Sequence, residues 1–143
     1  PLPYAKRLYY MDINLYRYFI GREDQSVHEE VMIGRIDQQL RVTRLMLEYY
    51  DLDKIQPAKL RKYMLSYLQI MMTISSVLAI RSGTAENMEK RDRLWSDLKE
   101  QDPKLYQKLR YSLLGIAMTR KNKLGNKTAE LGYTIAQRIY GFN

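Results

Sequence analysis

Cysteine is absent from this chain, and histidine occurs once among its 143 residues. These residues therefore cannot form a disulfide framework, a thiol nucleophile, an iron–sulfur cluster or a Cys-ligated zinc site, and one imidazole cannot build a His-rich metal centre. Glycine (7) and proline (4) are also scarce, whereas 45% of the residues are hydrophobic. This composition argues against disorder, a collagen-like sequence and a turn-rich all-β fold. We predict a mostly α-helical protein with one sizeable core.

Long apolar runs are missing as well. No stretch reaches the roughly 18 to 20 uninterrupted apolar residues that a membrane-spanning helix requires, and no basic segment followed by an apolar one opens the chain. We therefore expect no transmembrane segment. The sequence opens on Pro1-Leu2-Pro3-Tyr4 rather than on Met, and we expect it to continue a longer polypeptide.

The first 26 residues differ in pattern from the rest. Residues 8–20 are rich in the aromatic and β-branched types that suit a pleated surface, which predicts a strand or a short hairpin. Because two strands alone are marginal in water, this segment should pair with a sheet outside the chain. We divide the chain into an extended lead-in, residues 1–26, and an all-helical domain, residues 27–143.

Helix boundary signals divide the second part into four or five helices. Ser26 and Glu29 have the spacing of a capping box, which predicts a first helix from about Val27 to Tyr50. Pro57 suits the first position of a second helix that runs to Ser82.

Further boundaries follow the second helix. Gly83 predicts a left-handed stop, and Thr84 predicts the N-cap of a third helix over about residues 85–100. Asp102-Pro103 predicts the start of a fourth helix that fades near Met118, and a last amphipathic segment covers residues 128–140.

The second helix is apolar on nearly every side between Met64 and Ile80. Such a helix is normally buried among other helices. We expect it to form the centre of the core, where it packs against other helices or self-associates into a homo-oligomer.

Basic charge is concentrated towards the end of the chain. Residues 1–103 hold 16 basic and 15 acidic side chains, whereas residues 104–143 hold 8 basic ones and only Glu130. Interleaved apolar residues make this part similar to an interfacial helix on an anionic membrane. The alternative is a solvated basic face whose apolar side docks on the helical core, and the two can coexist. The cations assigned to the membrane surface are Arg120, Lys121, Lys123, Lys127 and Arg138.

The basic charge and the 13 tyrosines also make nucleic acid a partner to consider, because cations neutralise phosphates and aromatic rings stack on bases. No helix-turn-helix spacing, zinc finger or Lys/Arg-Gly-aromatic strand motif is present, and most tyrosines fall in apolar segments. We do not expect nucleic acid as a partner. A stand-alone basic helical domain that binds nucleic acid or protein remains the alternative function.

Two candidate chemical motifs have ordinary structural explanations. His28 lies in the predicted first helical turn without a Ser/Asp or second His at a useful spacing, so we expect a surface residue. Asp51-Leu52-Asp53 has the Asp-X-Asp spelling of a metal-binding motif. It stands between two helices rather than after a strand, and carboxylates are common in such turns.

Residues 16–27 are better equipped to hold a ligand. A predicted strand brings a Gly turn, Arg17, Arg22, the Gln25 amide and a helix N-terminus together, a combination that can grip a diphosphate. Arg22 can equally pair with Glu23 or Asp24 as ordinary loop electrostatics.

The same segment resembles a known family. Leu15-Tyr16-Arg17-Tyr18-Phe19-Ile20-Gly21-Arg22-Glu23-Asp24-Gln25-Ser26-Val27, followed by Met32-Ile33-Gly34-Arg35-Ile36-Asp37-Gln38-Gln39, is similar to the region just after the catalytic domain of bacterial family-2 glycosyltransferases. The last residues, from Leu124-Gly125-Asn126-Lys127 to Ile139-Tyr140-Gly141-Phe142-Asn143, resemble the C-terminus of that group.

The resemblance implies a parent enzyme whose N-terminal GT-A-type domain holds a divalent metal at an Asp-X-Asp motif. That enzyme would transfer sugar from a nucleotide donor during cell-surface polysaccharide or glycolipid assembly, in the cytoplasm and peripherally at the inner face of the membrane. This chain shows neither the metal motif nor the catalytic base at a matching position, so we expect no cofactor in it and no turnover by it alone. Its partner would be its own catalytic domain. The resemblance places four residues on the donor or acceptor side: Arg17, Arg22, Gln25 and Ser26.

Overall fold

The computed structural model describes residues 2–17 and 28–119. In these two ranges it has six α-helices and no strand, which confirms the predicted mostly helical, bundle-like fold. The helices are α1 (Glu29–Gly34), α2 (Ile36–Tyr49), α3 (Ala58–Ser82), α4 (Ala85–Gln101), α5 (Pro103–Arg110) and α6 (Leu113–Thr119).

The α3 helix is the centre of the bundle, as predicted. It contacts α1, α2, α4 and α6, and its Leu68 and Met72 side chains are completely buried. They belong to a continuous apolar core with buried residues from α2, α3, α4 and α5, including Leu40, Leu94 and Leu109, and α1 packs partly buried side chains against it. A smaller cluster joins α3 to α6 through Val77, Ile80 and Met118.

The predicted first helix is wrong in its length. The chain breaks at Arg35, whose φ of −110° and ψ of 21° separate α1 from α2. Gly34 ends α1 and lowers the cost of the break, because glycine is a poor helix former. The break allows α1 to pack on α3, where Arg81 Nη2 lies 2.7 Å from Glu29 Oε1.

The start of this helix also differs from the prediction. The α1 helix begins at Glu29 instead of Val27, and His28 is its extended N-cap residue. Ser26 and Val27 lie outside the described residues, so the capping box stays a prediction.

The boundary between α3 and α4 follows local signals. Gly83 adopts the left-handed conformation with φ 65°, and Thr84 Oγ1 accepts a hydrogen bond from the Asn87 amide at 3.2 Å. The α4 helix ends one residue later than predicted, at Gln101. At the other end of α3, Pro57 is the N-cap residue rather than the first helical residue.

The predicted fourth helix is two helices. Asp102 caps α5 as expected by accepting from the Leu105 amide at 2.9 Å, but the chain turns at Tyr111 and Ser112. Ser112 Oγ accepts from the Gly115 amide at 3.0 Å and so opens α6. Its hydroxyl also lies 2.7 Å from Gln69 Oε1 of α3. This turn folds α6 back onto the central helix, which one continuous helix would not do.

After a short 3₁₀ turn at Leu2–Tyr4, the lead-in has no regular secondary structure up to residue 17. The predicted strand or hairpin is not formed in residues 8–17, whose backbone bonds are local turns such as Ile13 N to Met11 O at 2.9 Å. Ladder hydrogen bonds require a neighbouring strand, and the described residues contain none.

Candidate functional site

Most of the predicted site residues fall outside the described ranges. Arg17 is the last described residue of the lead-in and is exposed. The other residues of the predicted donor or acceptor site, Arg22, Gln25 and Ser26, are not described, and neither are the five cations of the basic tail. Their grouping therefore stays a prediction.

The lead-in presents a long apolar surface. Seven large apolar side chains between Leu8 and Tyr16 are 52–87% exposed. Near its start, Tyr4 Oη donates to Tyr49 Oη of α2 at 3.2 Å, and this hydrogen bond raises the pKa of Tyr4. The lead-in thus touches the bundle at Tyr4 and then leaves a run of aromatic and aliphatic side chains in solvent.

The Asp51-Leu52-Asp53 sequence opens a 3₁₀ helix, Leu52–Lys54, and Asp51 is its N-cap residue, in agreement with the structural interpretation of this motif. Asp51 Oδ1 accepts from the Asp53 amide at 3.1 Å, and Lys54 Nζ lies 3.0 Å from Asp51 Oδ2. The hydrogen bond from Lys54 lowers the pKa of Asp51. Within the described ranges no cluster of three or more His, Asp and Glu side chains is placed to hold a metal ion.

Small hydroxyl groups connect the helices inside the core. Thr43 of α2 and Ser75 of α3 are completely buried, and their Oγ1 and Oγ atoms are 3.0 Å apart. The next residue, Ser76, accepts from Trp95 Nε1 of α4 at 3.2 Å. Because a buried polar group is costly without its partner, these contacts fix the register of α2, α3 and α4.

Sequence reasoning missed a buried charge in α4. Arg91 is 1% exposed, and its Nε and Nη2 atoms lie 3.0 and 2.6 Å from Asp92 Oδ1. Its Nη1 atom is buried and has no hydrogen-bond partner among the described residues. The available signal was spacing, since Arg91 precedes Leu94, Trp95 and Leu98 on the core-facing side of α4.

The described residues leave one side of α3 uncovered, whereas we expected this helix to be buried among other helices. Tyr63, Tyr67, Ile70 and Ile74 are 37–51% exposed. Their spacing of four, three and four residues puts them on one helical face, which we call the open face of α3. No charged residue occurs between Tyr63 and Ile80. The open face is therefore an uncharged apolar stripe beside an otherwise packed core.

In the described ranges, α3 is the one helix long and apolar enough to cross a membrane by length and composition. More than half of its most apolar window is buried inside the bundle, the arrangement of a core helix. The expectation that the chain has no transmembrane segment stays a prediction.

Comparisons with known proteins add no family to these observations. No family model, no curated protein and no solved structure matches this chain.

Proposed function

We propose that this protein is the C-terminal helical accessory module of a bacterial family-2 glycosyltransferase, which transfers sugar from a nucleotide donor in cell-surface polysaccharide or glycolipid assembly. The sequence resemblance over residues 15–39 and 124–143 supports the family. The observation that carries the role as a module is the exposed apolar lead-in.

The exposed lead-in requires a covering surface. Burying one large apolar side chain is worth about 1.5–3 kcal/mol, and folded proteins rarely leave a contiguous apolar patch of this extent in water. The seven exposed side chains between Leu8 and Tyr16 therefore favour packing against a second domain. In this proposal that domain is the catalytic one, and the chain then continues from Arg17 to Arg22, Gln25 and Ser26 on its donor or acceptor side.

The test of this part begins with the reading frame that precedes Pro1. We expect it to encode a sheet-and-helix domain with an Asp-X-Asp motif at a strand end. An unrelated domain, or a start codon immediately before Pro1, would contradict the proposal.

The longer polypeptide then permits a direct assay. Leu15→Asp, at a side chain that is 79% exposed, should reduce the release of nucleoside diphosphate from nucleotide sugars, because a buried carboxylate would separate the domains. The matched control is Leu113→Asp on α6, at a leucine that is 89% exposed. Equal rates for the two variants would refute the role of the lead-in.

The basic tail supplies the second part of the proposal, attachment near a membrane-linked acceptor. Each cation close to an anionic surface contributes about 1 kcal/mol to binding. Replacing Arg120, Lys121, Lys123, Lys127 and Arg138 together by Gln should therefore weaken partitioning onto anionic vesicles by about three to four orders of magnitude, since each 1.4 kcal/mol is a factor of about ten.

Vesicle flotation measures this loss, and the bundle offers a control of equal charge. Replacement by Gln of five exposed cations on the helices before residue 104 should change partitioning far less; these are Arg41, Lys59, Lys62, Arg93 and Lys99. Similar losses in both variants would indicate a general charge effect and would reject a specific membrane role for the tail.

A further inference from the structure

The open face of α3 lacks a covering element in the described part of the chain. Its four side chains retain 37–51% of their exposure although α1, α2, α4 and α6 all contact the same helix. Beyond Thr119 the sequence continues for 24 residues, 120–143. We propose that residues 131–142 dock on the open face as an amphipathic helix, which goes beyond the proposed function and does not depend on it.

The apolar pattern of this segment matches the open face in length. Leu131, Ile135, Ile139 and Phe142 recur at intervals of four, four and three residues, which places them on one side of a helix. Both this stripe and the open face span 12 residues, or 11 steps along the helix axis. At 1.5 Å per residue each is about 17 Å long, so the two stripes can cover one another from end to end.

The end of α6 lies close enough to the open face for residues 131–142 to reach it. Met118, in the last turn of α6, packs beside Val77 and Ile80 near the C-terminal end of α3. The 11 residues 120–130 can extend to at most about 36 Å, which is ample to return to Ile74. A helix running back along α3 then pairs Leu131 with the Ile74 end of the stripe and Phe142 with the Tyr63 end.

The small uncovered area of the open face favours a segment of the same chain, rather than a second copy of the protein, as its occupant. With ~200 Å² for a large apolar side chain, the four residues of the open face leave about 350 Å² uncovered. A symmetric contact between two copies through this face would bury roughly 700 Å² in total, which is less than the ~1,200 Å² of a stable interface. A tethered segment docks at a local concentration in the millimolar range and needs less area.

The lysines of the tail can still contact an anionic surface when the segment is docked on α3. Lys121, Lys123 and Lys127 precede the docked segment, so contact with an anionic surface does not require the apolar stripe to leave α3. Docking and the proposed membrane attachment can therefore be tested separately, with vesicles omitted from the docking experiment.

The absence of cysteine allows a disulfide test in the full chain. Ile70→Cys combined with Ile135→Cys joins the centres of the two stripes, because residue 135 lies opposite residue 70 when Leu131 is at the Ile74 end and Phe142 is at the Tyr63 end. The matched control combines Ile70→Cys with Gln137→Cys, because Gln137 lies on the opposite side of the predicted helix. We expect the first pair to form an intramolecular disulfide at least tenfold faster. Equal rates, or disulfide-linked dimers as the main product, would overturn the proposal.

A labelling experiment tests the same contact without a crosslink. In the single variant Ile70→Cys, adding Ile139→Asp should raise the rate of thiol alkylation severalfold, because a carboxylate on the apolar stripe opposes docking. Gln137→Asp is the control and should leave the rate unchanged. Circular dichroism verifies that each variant keeps its helices. An unchanged rate in the Ile139→Asp variant would overturn the proposal.

Discussion

Gly115 is the position where one methyl group should disturb the fold most clearly. It is buried at the contact of α5 and α6. A Cβ atom built there would collide with the Leu109 carbonyl oxygen and lie 2.7 and 2.8 Å from the Arg110 carbonyl oxygen and carbon. These are backbone atoms, so no rotamer change relieves the overlap. In Gly115→Ala, α6 must move away from the end of α5.

The size of the effect follows from two opposing contributions. Alanine in place of glycine inside a helix gains about 1 kcal/mol. Overpacking costs about 1–3 kcal/mol, and a shift of α6 also separates Met118 from Val77 and Ile80. We expect the cost to win because the overlap is with backbone. The net loss of unfolding free energy should be about 2 kcal/mol, which lowers the Tm by roughly 5–8 °C.

Urea unfolding measures this loss, followed by circular dichroism and by the fluorescence of Trp95, the single tryptophan. The matched control is Gly34→Ala at the end of α1, where a Cβ meets no atom within 4 Å. That variant should be as stable as the parent or more stable by up to about 1 kcal/mol. If Gly115→Ala behaves like Gly34→Ala, the close packing of α6 against the α5 end is wrong.

Two further predictions concern the polar groups of the core. Ser76→Ala removes the acceptor of Trp95 Nε1 and should cost about 1–3 kcal/mol in urea unfolding, whereas Thr73→Ala, at a half-buried hydroxyl of the same helix, should cost less than about 0.5 kcal/mol. Equal costs would argue against the buried indole contact. Arg91→Met should be neutral or stabilising by thermal denaturation, because an apolar side chain of similar size replaces a buried ion. Asp92→Asn should destabilise by at most about 1 kcal/mol, since it weakens the contact to a guanidinium that stays buried. A loss in both variants would show that the Arg91 charge itself stabilises the fold.

Local signals predicted several boundaries correctly. Gly83, Thr84 and Asp102 act within one or two turns, through backbone conformation and a single capping hydrogen bond, so neighbouring residues suffice to identify them. The breaks at Arg35 and Ser112 were missed for the opposite reason. A continuous helix satisfies the local pattern equally well, and the breaks are favoured because α1 and α6 then pack on α3.

In the candidate site, too, some features follow from neighbouring residues and others only from tertiary packing. The aromatic and aliphatic composition of the lead-in was readable from the sequence, and its need for a partner surface stays a prediction. The burial of Arg91 could not be read from the sequence in the same way, because it depends on where α4 lies against the bundle.

The amino-acid sequence by itself determined that this protein is a helical bundle centred on the segment between Pro57 and Gly83. Periodicity and capping act over a few residues, and a helix that is apolar on nearly every side is normally buried among other helices. Only the tertiary structure decided which side of this central helix the other described residues leave uncovered. Which side of an all-apolar helix is covered depends on the number and direction of the helices that reach it, and those are set by long-range packing rather than by the helix's own residues.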